Sequence, residues 1–225
     1  MMARPLDWPD TPGETSVPQR PDVATLAEIE AHAVAAARGA GSILAGHFGT
    51  ALKIEFKDDR KTDPVTGADK DSERYLIDSI AERFPDHSVL AEEDPDNDAR
   101  ANDVTWVLDP LDGTRNFMSG LPVYACSIGV MHQGTPIAGA VFLPWPNSGT
   151  GVVLHAHKGG GTFKDGEPIT VATFTEPQPS AIVGLPASFG AGYRFKRAMW
   201  GKTGEPRVTG SIAYELAMVA KGVLQ

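Results

Sequence analysis

Nine residues, Trp106-Val107-Leu108-Asp109-Pro110-Leu111-Asp112-Gly113-Thr114, constrain this chain more than any others. Trp106 to Leu108 is a short apolar run of strand type. It delivers Asp109 and then Pro110, which has no N–H to give to a ladder. Three residues after Asp109 comes Asp112, followed by Gly113 and Thr114: a small polar cap, a permissive glycine and a hydroxyl, the pattern that opens a helix. Two carboxylates therefore stand between the end of a strand and the mouth of a helix. In open α/β sheets ligands bind at the carboxyl ends of strands, and a helix mouth offers N–H groups and partial positive charge to an anion. Two acids that close repel by about 4 kcal/mol at ~4 Å and an effective dielectric of ~20. One must protonate, or a cation must sit between them. A hard divalent cation, Mg²⁺ in particular, is the natural partner and is often shared with substrate phosphates. The local alternative makes Asp109 a strand-end cap and Asp112 a helix N-cap.

Other classes of function are excluded by composition. With 225 residues and 41% hydrophobic content, the chain suits one large globular domain or two small ones. A net charge of −9 argues against nucleic acid as a main partner. No apolar run approaches the ~20 residues that span a membrane, and the N-terminus lacks the layout of a signal peptide. The single cysteine, Cys126, has no internal partner, which suits a reducing cytoplasm. It lies in the apolar run Tyr124 to Met131, where packing is its expected role. Residues 1–21 hold five prolines among polar residues and read as a disordered extension.

Along the rest of the chain, Leu26, Ile29, Ala33, Ala36, Ala40, Ile43 and Leu44 recur at helical spacing, predicting a helix from Asp22 to Phe48. Gly39 and Gly41 within it either weaken it or allow close packing. Ala51 to Phe56 alternates like a strand, and Asp69 looks like the N-cap of a helix ended by Pro85. Ser88 to Glu93 is a strand ending in Glu92 and Glu93; laid beside the strand of Asp109, it would bring three carboxylates together. Tyr124–His132, Ile137–Leu143 and Val152–Ala156 read as strands, with turns at Gln133-Gly134, Lys158–Thr162 and Lys164–Glu167. His155 and His157 share one strand face and are expected at the surface. Ser180–Leu185 reads as a strand and Gly192–Trp200 as a helix flanked by Arg194, Lys196 and Arg197. Arg207 to Ala213 reads as a strand-to-helix turn.

Trp106 to Phe117 resembles the signature of the inositol monophosphatase superfamily, W-x-[IVL]-D-P-[IL]-D-G-T-x-N-F. Haloacid-dehalogenase-type phosphatases also carry an Asp…Asp-Gly-Thr stretch, but their acids are two apart and the first is a nucleophile; the spacing here disfavours that. The resemblance implies a layered α+β and α/β sandwich of alternating helix and sheet layers. A metal-binding half would cover about 22–175 and a substrate-binding half about 176–225. It implies Mg²⁺ held by Glu92, Asp109, the carbonyl of Leu111, and Asp112. Glu92 belongs to a G-E-E motif in which Ala91 replaces the glycine. Asp69, in Pro64-Val65-Thr66-Gly67-Ala68-Asp69, would pair with Thr114; Glu92, Thr114 and Asp69 would activate water. Gly113, Thr114, Gly210 and Ser211 would contact substrate, and Lys57 or Lys61 would approach the metal site. Li⁺ inhibition and a homodimer are implied in the same way; the cytoplasmic location is expected from the single cysteine.

The family pattern continues with W-D-x-A-A-G, whose aspartate binds a second metal. The sequence stops at Gln225 without it, so the C-terminal layer is expected to be incomplete and the chain a fragment. The implied reaction is Mg²⁺-dependent hydrolysis of a small phosphomonoester by activated water, inositol monophosphate being the default substrate. Pro64–Asp69 and Ser119–Val123 also look like the histidinol-phosphate subgroup, and fructose 1,6-bisphosphate is a further option. A reading of another class is a non-catalytic domain that binds a metal or sugar phosphate, or a dimerisation scaffold.

Overall fold

Asp22 accepts the N–H of Thr25 at 2.7 Å and opens helix α1 (Val23–His47). A computed structural model of the chain describes residues 22–56, 59–60, 64–91, 102–145, 150–172, 176, 178–186, 193–199 and 201–225. The expected extension at 1–21, and Lys57, Lys61, Glu92 and Glu93, lie outside the described residues.

Helix α1 is long, and its buried stripe is mostly alanine: Ala33, Ala36, Ala37 and Ala40, with Ile29 and Leu44. Small side chains let the helix lie close to what it covers. The two glycines serve that approach. A Cβ on Gly41 would meet the Phe142 ring at 2.4 Å, and one on Gly39 would meet the Tyr75 hydroxyl at 2.1 Å. A short antiparallel pair, β1 (Ile54–Phe56) and β2 (Pro64–Thr66), leads into helix α2 (Gly67–Arg83). Thr66, not Asp69, is the N-cap of α2. Asp69 sits three residues on and completes a capping box.

Among the described residues the main sheet has seven strands in sequence order: β3 (Ser88–Ala91), β4 (Val104–Asp112), β5 (Ala125–His132), β6 (Thr135–Leu143), β7 (Val152–His157), β8 (Gly161–Lys164) and β9 (Glu167–Pro168). Only β3 and β4 run parallel; the other neighbours are antiparallel. The tight turns between β5 and β6 and between β8 and β9 have positive φ at both central residues, Gln133-Gly134 and Asp165-Gly166. That geometry matches the twist of paired strands. Helix α3 (Thr114–Met118) follows β4 directly. A parallel pair, β10 (Ile182–Gly184) and β11 (Glu205–Arg207), precedes helix α4 (Ile212–Ala220).

Helices α1 and α2 cover one face of the main sheet. The core there joins Ile29, Leu76, Ile80, Trp106, Leu108, Phe117, Ile128 and Phe142. Helix α4 covers part of the other face through Ala217 and Met218, against Ala125, Leu143, Val152 and Leu154. The result is the α+β sandwich expected, with helix layers on both sides of a mixed sheet. The basic segment did not become the helix expected over Gly192–Trp200; among its described residues only Arg197–Met199 turns, as a short 3-10 helix. Arg194, Lys196 and Arg197 are exposed.

The two strand histidines are not surface residues. His155 Nδ1 lies 2.7 Å and His157 Nδ1 2.5 Å from the two carboxylate oxygens of Glu30 on α1, all three nearly buried. Burial alone would raise the Glu30 pKa, but hydrogen bonds from the two histidines outweigh it and hold the carboxyl below its ordinary value.

A second histidine cluster lies at the start of β4. Trp106 Nε1 donates to His87 Nδ1 at 2.9 Å, and His87 stacks on Phe84 with ring centroids 4.8 Å apart. His32 meets both Phe84 and Trp106 edge-on and lies 3.3 Å from the Ser79 hydroxyl. Burial lowers the pKa of His87 and His32 below 6.5, against smaller opposing pulls from Asp86 on His87 and from Ser79 and Glu82 on His32. The folded state therefore favours neutral rings. Their contribution is complete above pH 6.5 and is lost as pH falls through the lowered values, because the unfolded chain takes up protons first. Thermal unfolding is expected at a lower midpoint at pH 5.5 than at pH 7.5. A His32→Phe, His87→Phe double variant with the same drop would show that other groups cause it.

Candidate active site

A residue three positions along a regular strand points to the opposite face, because the side-chain period is two. Asp109 and Asp112 would therefore diverge if β4 were regular. It is not. Asp109 pairs with Ser127 and Asp112 with Ala125, so β4 advances by three residues while β5 advances by two. The extra residue is a β-bulge at Pro110-Leu111. Pro110 does not end the strand, as its missing N–H suggested; the slip absorbs it. Leu108 and Leu111 both join the core under α1 and α2. Asp109 and Asp112 both approach the start of α4: Asp109 lines a cavity of about 390 Å³ with Ile212 and Ala213, and Asp112 bonds Ser211 and Ala213.

Helix α2 braces the bulge from behind. The hydroxyl of Ser72, fully buried, donates to the carbonyl of Pro110 at 3.5 Å. One turn earlier is Asp69, which is 4% exposed. Its Oδ2 accepts from the N–H of Thr66 at 2.8 Å and from the Thr66 hydroxyl at 2.5 Å. Its Oδ1 faces the hydroxyl of Thr114 at 3.3 Å, and that hydroxyl also reaches the carbonyl of Leu111 at 3.0 Å. Thr66 thus fixes Asp69, and Asp69 and Leu111 compete for one hydroxyl proton.

The chain leaves β4 through Gly113, whose φ is +91°. A Cβ there would meet Ser211 Cβ and the Val123 carbonyl at 3.0 Å. Only glycine suits this left-handed, crowded turn. Gly113, not Asp112, is the N-cap of α3. Asp112 instead caps a helix a hundred residues away in sequence: its Oδ2 accepts the Ser211 hydroxyl at 2.7 Å and the N–H of Ala213 at 2.6 Å. Ser211, 1% exposed, is the N-cap of α4, and Gly210 before it is exposed. Cys126, on the β5 stretch opposite the bulge, is fully buried. Burial, with the nearby Asp109 charge, pushes its thiol far up and leaves it inert.

The structure thus gathers Asp69, Asp109, Leu111, Asp112, Gly113, Thr114, Gly210 and Ser211 around one turn. Strand β3 ends at Ala91 opposite Leu108, and Glu92 lies outside the described residues. Among the described residues no group of three or more His, Cys, Asp or Glu side chains is placed to hold a metal. The donors present, two carboxylates and a carbonyl, are all hard oxygens. They suit a hard divalent cation and not a thiophilic one. Sequence reasoning gave no role to Ser72, or to Asn116 within the matched signature; they fasten this turn to the carbonyls of Pro110 and of Val123 and Thr209.

Residues 25–225 match the inositol monophosphatase family. The fructose-1,6-bisphosphatase/inositol-1-monophosphatase of Aquifex aeolicus is 30% identical over 200 residues, which cover 87% of this chain and 74% of that protein. Nus factor SuhB of Escherichia coli K12 is 33% identical over 202 residues, covering 84% and 72%. Among solved structures, the extragenic suppressor protein suhB of Bartonella henselae superposes with a TM-score of 0.75 at 27% identity, covering 87% of this chain and 75% of that one. The Thermotoga maritima IMPase gives 0.72 at 28%, covering 85% and 72%. No helix among the described residues is long and apolar enough to cross a membrane.

Proposed function

The chain belongs to the inositol monophosphatase family, and from that premise we propose that it hydrolyses a small phosphomonoester with the help of Mg²⁺. The family is one of phosphatases, and the supporting observation is the bulge of β4. It carries Asp109 and Asp112 to one side of the sheet, next to a hydroxyl already engaged by the buried Asp69.

In this reading Asp109, Asp112 and the Leu111 carbonyl hold the cation, together with Glu92. Bound there, Mg²⁺ would acidify a water molecule and draw charge from the phosphoryl oxygens. The rest falls to the chain's own groups. Thr114 takes a proton from the attacking water as its own hydroxyl proton passes to Asp69, whose position Thr66 fixes. The N–H groups of Gly113 and Thr114 receive a phosphoryl oxygen as the P–O bond to the leaving group breaks; the departing alkoxide takes a proton from solvent water, and the proton held on Asp69 returns to solvent. Gly210 forms part of the wall beside the alcohol, and Ser211 orients Asp112. No covalent enzyme intermediate is required.

Inositol monophosphate is the first candidate substrate. The Aquifex relative's name adds fructose 1,6-bisphosphate, and histidinol phosphate completes the panel. The test is phosphate release during a Mg²⁺ titration with each ester. Turnover that rises with Mg²⁺ and distinguishes the esters is expected. No turnover of any ester by folded protein would overturn the proposal. A second reading, a binding role without hydrolysis, is favoured by the relatives named Nus factor. It gains only if the esters bind and are not cleaved.

A further inference from the structure

We propose that Asn116 is a positioning residue: it tethers the mouth of α4 to the acid turn and so sets the gap between Asp109 and the start of α4, the cavity of about 390 Å³ lined by Asp109, Ile212 and Ala213, that receives the substrate's alcohol portion. The proposal rests on the phosphomonoester reading for what fills that gap, but not for the tether itself.

Asn116 lies in α3, two residues after Thr114. Its Nδ2 donates at 2.7 Å to the carbonyl of Val123 and at 2.7 Å to the carbonyl of Thr209, 93 residues away. Both amide hydrogens are thus used on main-chain oxygens. One belongs to the loop that enters β5; the other belongs to the turn between β11 and α4. Gly210, at φ +78°, packs on the carboxamide, so that a Cβ there would sit 3.4 Å from Nδ2. The half-buried amide therefore fills the seam between the signature turn and the start of α4.

The far side of that turn is tied to α4 itself. The buried Glu215 accepts the Thr209 N–H and the Thr209 hydroxyl, each at 2.8 Å, through one oxygen. Thr209 to Glu215 therefore forms one unit. Two side chains from the acid turn hold it in place: Asp112, through Ser211 and Ala213, and Asn116, through Thr209. They differ in chemistry. Asp112 is a carboxylate with a proposed second task beside a cation. Asn116 is neutral, and nothing bound at the acids competes for its donors. It keeps the α4 mouth in register whatever Asp112 does, so the width of the gap depends on it. The bond to Val123 stays within the connection from β4 to β5, whereas no spacing rule in the sequence connects Asn116 with Thr209, 93 residues away.

The experiment compares wild type, Asn116→Ala and Asn116→Asp by hydrogen exchange and by kinetics on whichever ester is hydrolysed. Losing the two hydrogen bonds, partly recovered by water, corresponds to a roughly tenfold effect. In Asn116→Ala, the amides from Thr209 to Tyr214 should exchange about tenfold faster while those of α1 are unchanged. KM should rise about tenfold with kcat changed less than about threefold. Asn116→Asp turns a carboxylate toward two carbonyls and should be at least as severe. A fall in melting temperature with KM and local exchange unchanged would make Asn116 merely structural and overturn the proposal. Should wild type hydrolyse no ester, only the phosphatase reading fails: faster exchange at 209–214 still upholds the tether, and unchanged exchange overturns it.

Discussion

Replacing Asp112 by asparagine is expected to leave a folded protein whose phosphate release is about 10²–10³-fold slower. The two consequences separate because Asp112 performs two tasks with different chemical needs. As the cap of α4, it needs one acceptor oxygen for the Ser211 hydroxyl and the Ala213 N–H. An asparagine carbonyl supplies that. As a cation ligand it needs charge, which asparagine lacks. Coulomb attraction between a carboxylate and a divalent ion falls away entirely, while the hydrogen bonds to α4 weaken only from charge-assisted to neutral. Asp112→Ala removes both tasks. It should also lower stability by about 1 kcal/mol, the usual cost of a lost helix cap. Phosphate release and thermal unfolding, measured on both variants, check this. Undiminished turnover by Asp112→Asn would remove Asp112 from the proposed site. Equal destabilisation by the two variants would mean that the cap needs the charge.

That double use shows how far the sequence could be read. The acid pair and the turn after Asp112 were legible because they are local: an apolar strand run, an acid, and a glycine before a hydroxyl; the strand end expected at Asp109 was not, since β4 runs on to Asp112. The hairpins were legible for the same reason, since Gln133-Gly134 and Asp165-Gly166 supply the two positive φ values in adjacent residues. What failed was either a slip in register or a partner far away. Nothing in Asp109-Pro110-Leu111-Asp112 states that β5 advances one residue fewer, yet that slip puts the two acids on one side. Asp112 looked like a cap for the helix that follows it and caps α4 instead. His155 and His157 were rightly expected to share a face, but the face is turned to Glu30, 125 and 127 residues earlier. The helix expected at Gly192–Trp200 rested on basic residues beside a few apolar ones. That pattern gives no stripe for a core to cover, and all three cations stay exposed.

Replacing Asp69 by asparagine should slow phosphate release about 10²-fold or more while costing little stability, and the reason is the direction of one proton. The Thr66 N–H can only donate, so whichever atom of residue 69 faces it must accept. An asparagine must therefore turn its carbonyl toward Thr66 and its NH₂ toward Thr114. The Thr114 hydroxyl then accepts from residue 69 and sends its own proton to the Leu111 carbonyl, 3.0 Å away. The proton route from water through Thr114 to residue 69 is closed, although every donor near it still has an acceptor. The capping box of α2 survives through the remaining carbonyl. Asp69→Ala differs on both counts. It leaves the Thr66 N–H, in a buried setting, without its acceptor, and stability should fall by roughly 1–3 kcal/mol. Activity should fall at least as far. Comparing the two variants separates proton transfer from packing: a stable Asp69→Asn with wild-type kcat would show that Asp69 is only a helix cap and that water is not activated through Thr114, because the Leu111 carbonyl beside it is a hydrogen-bond acceptor and not a base.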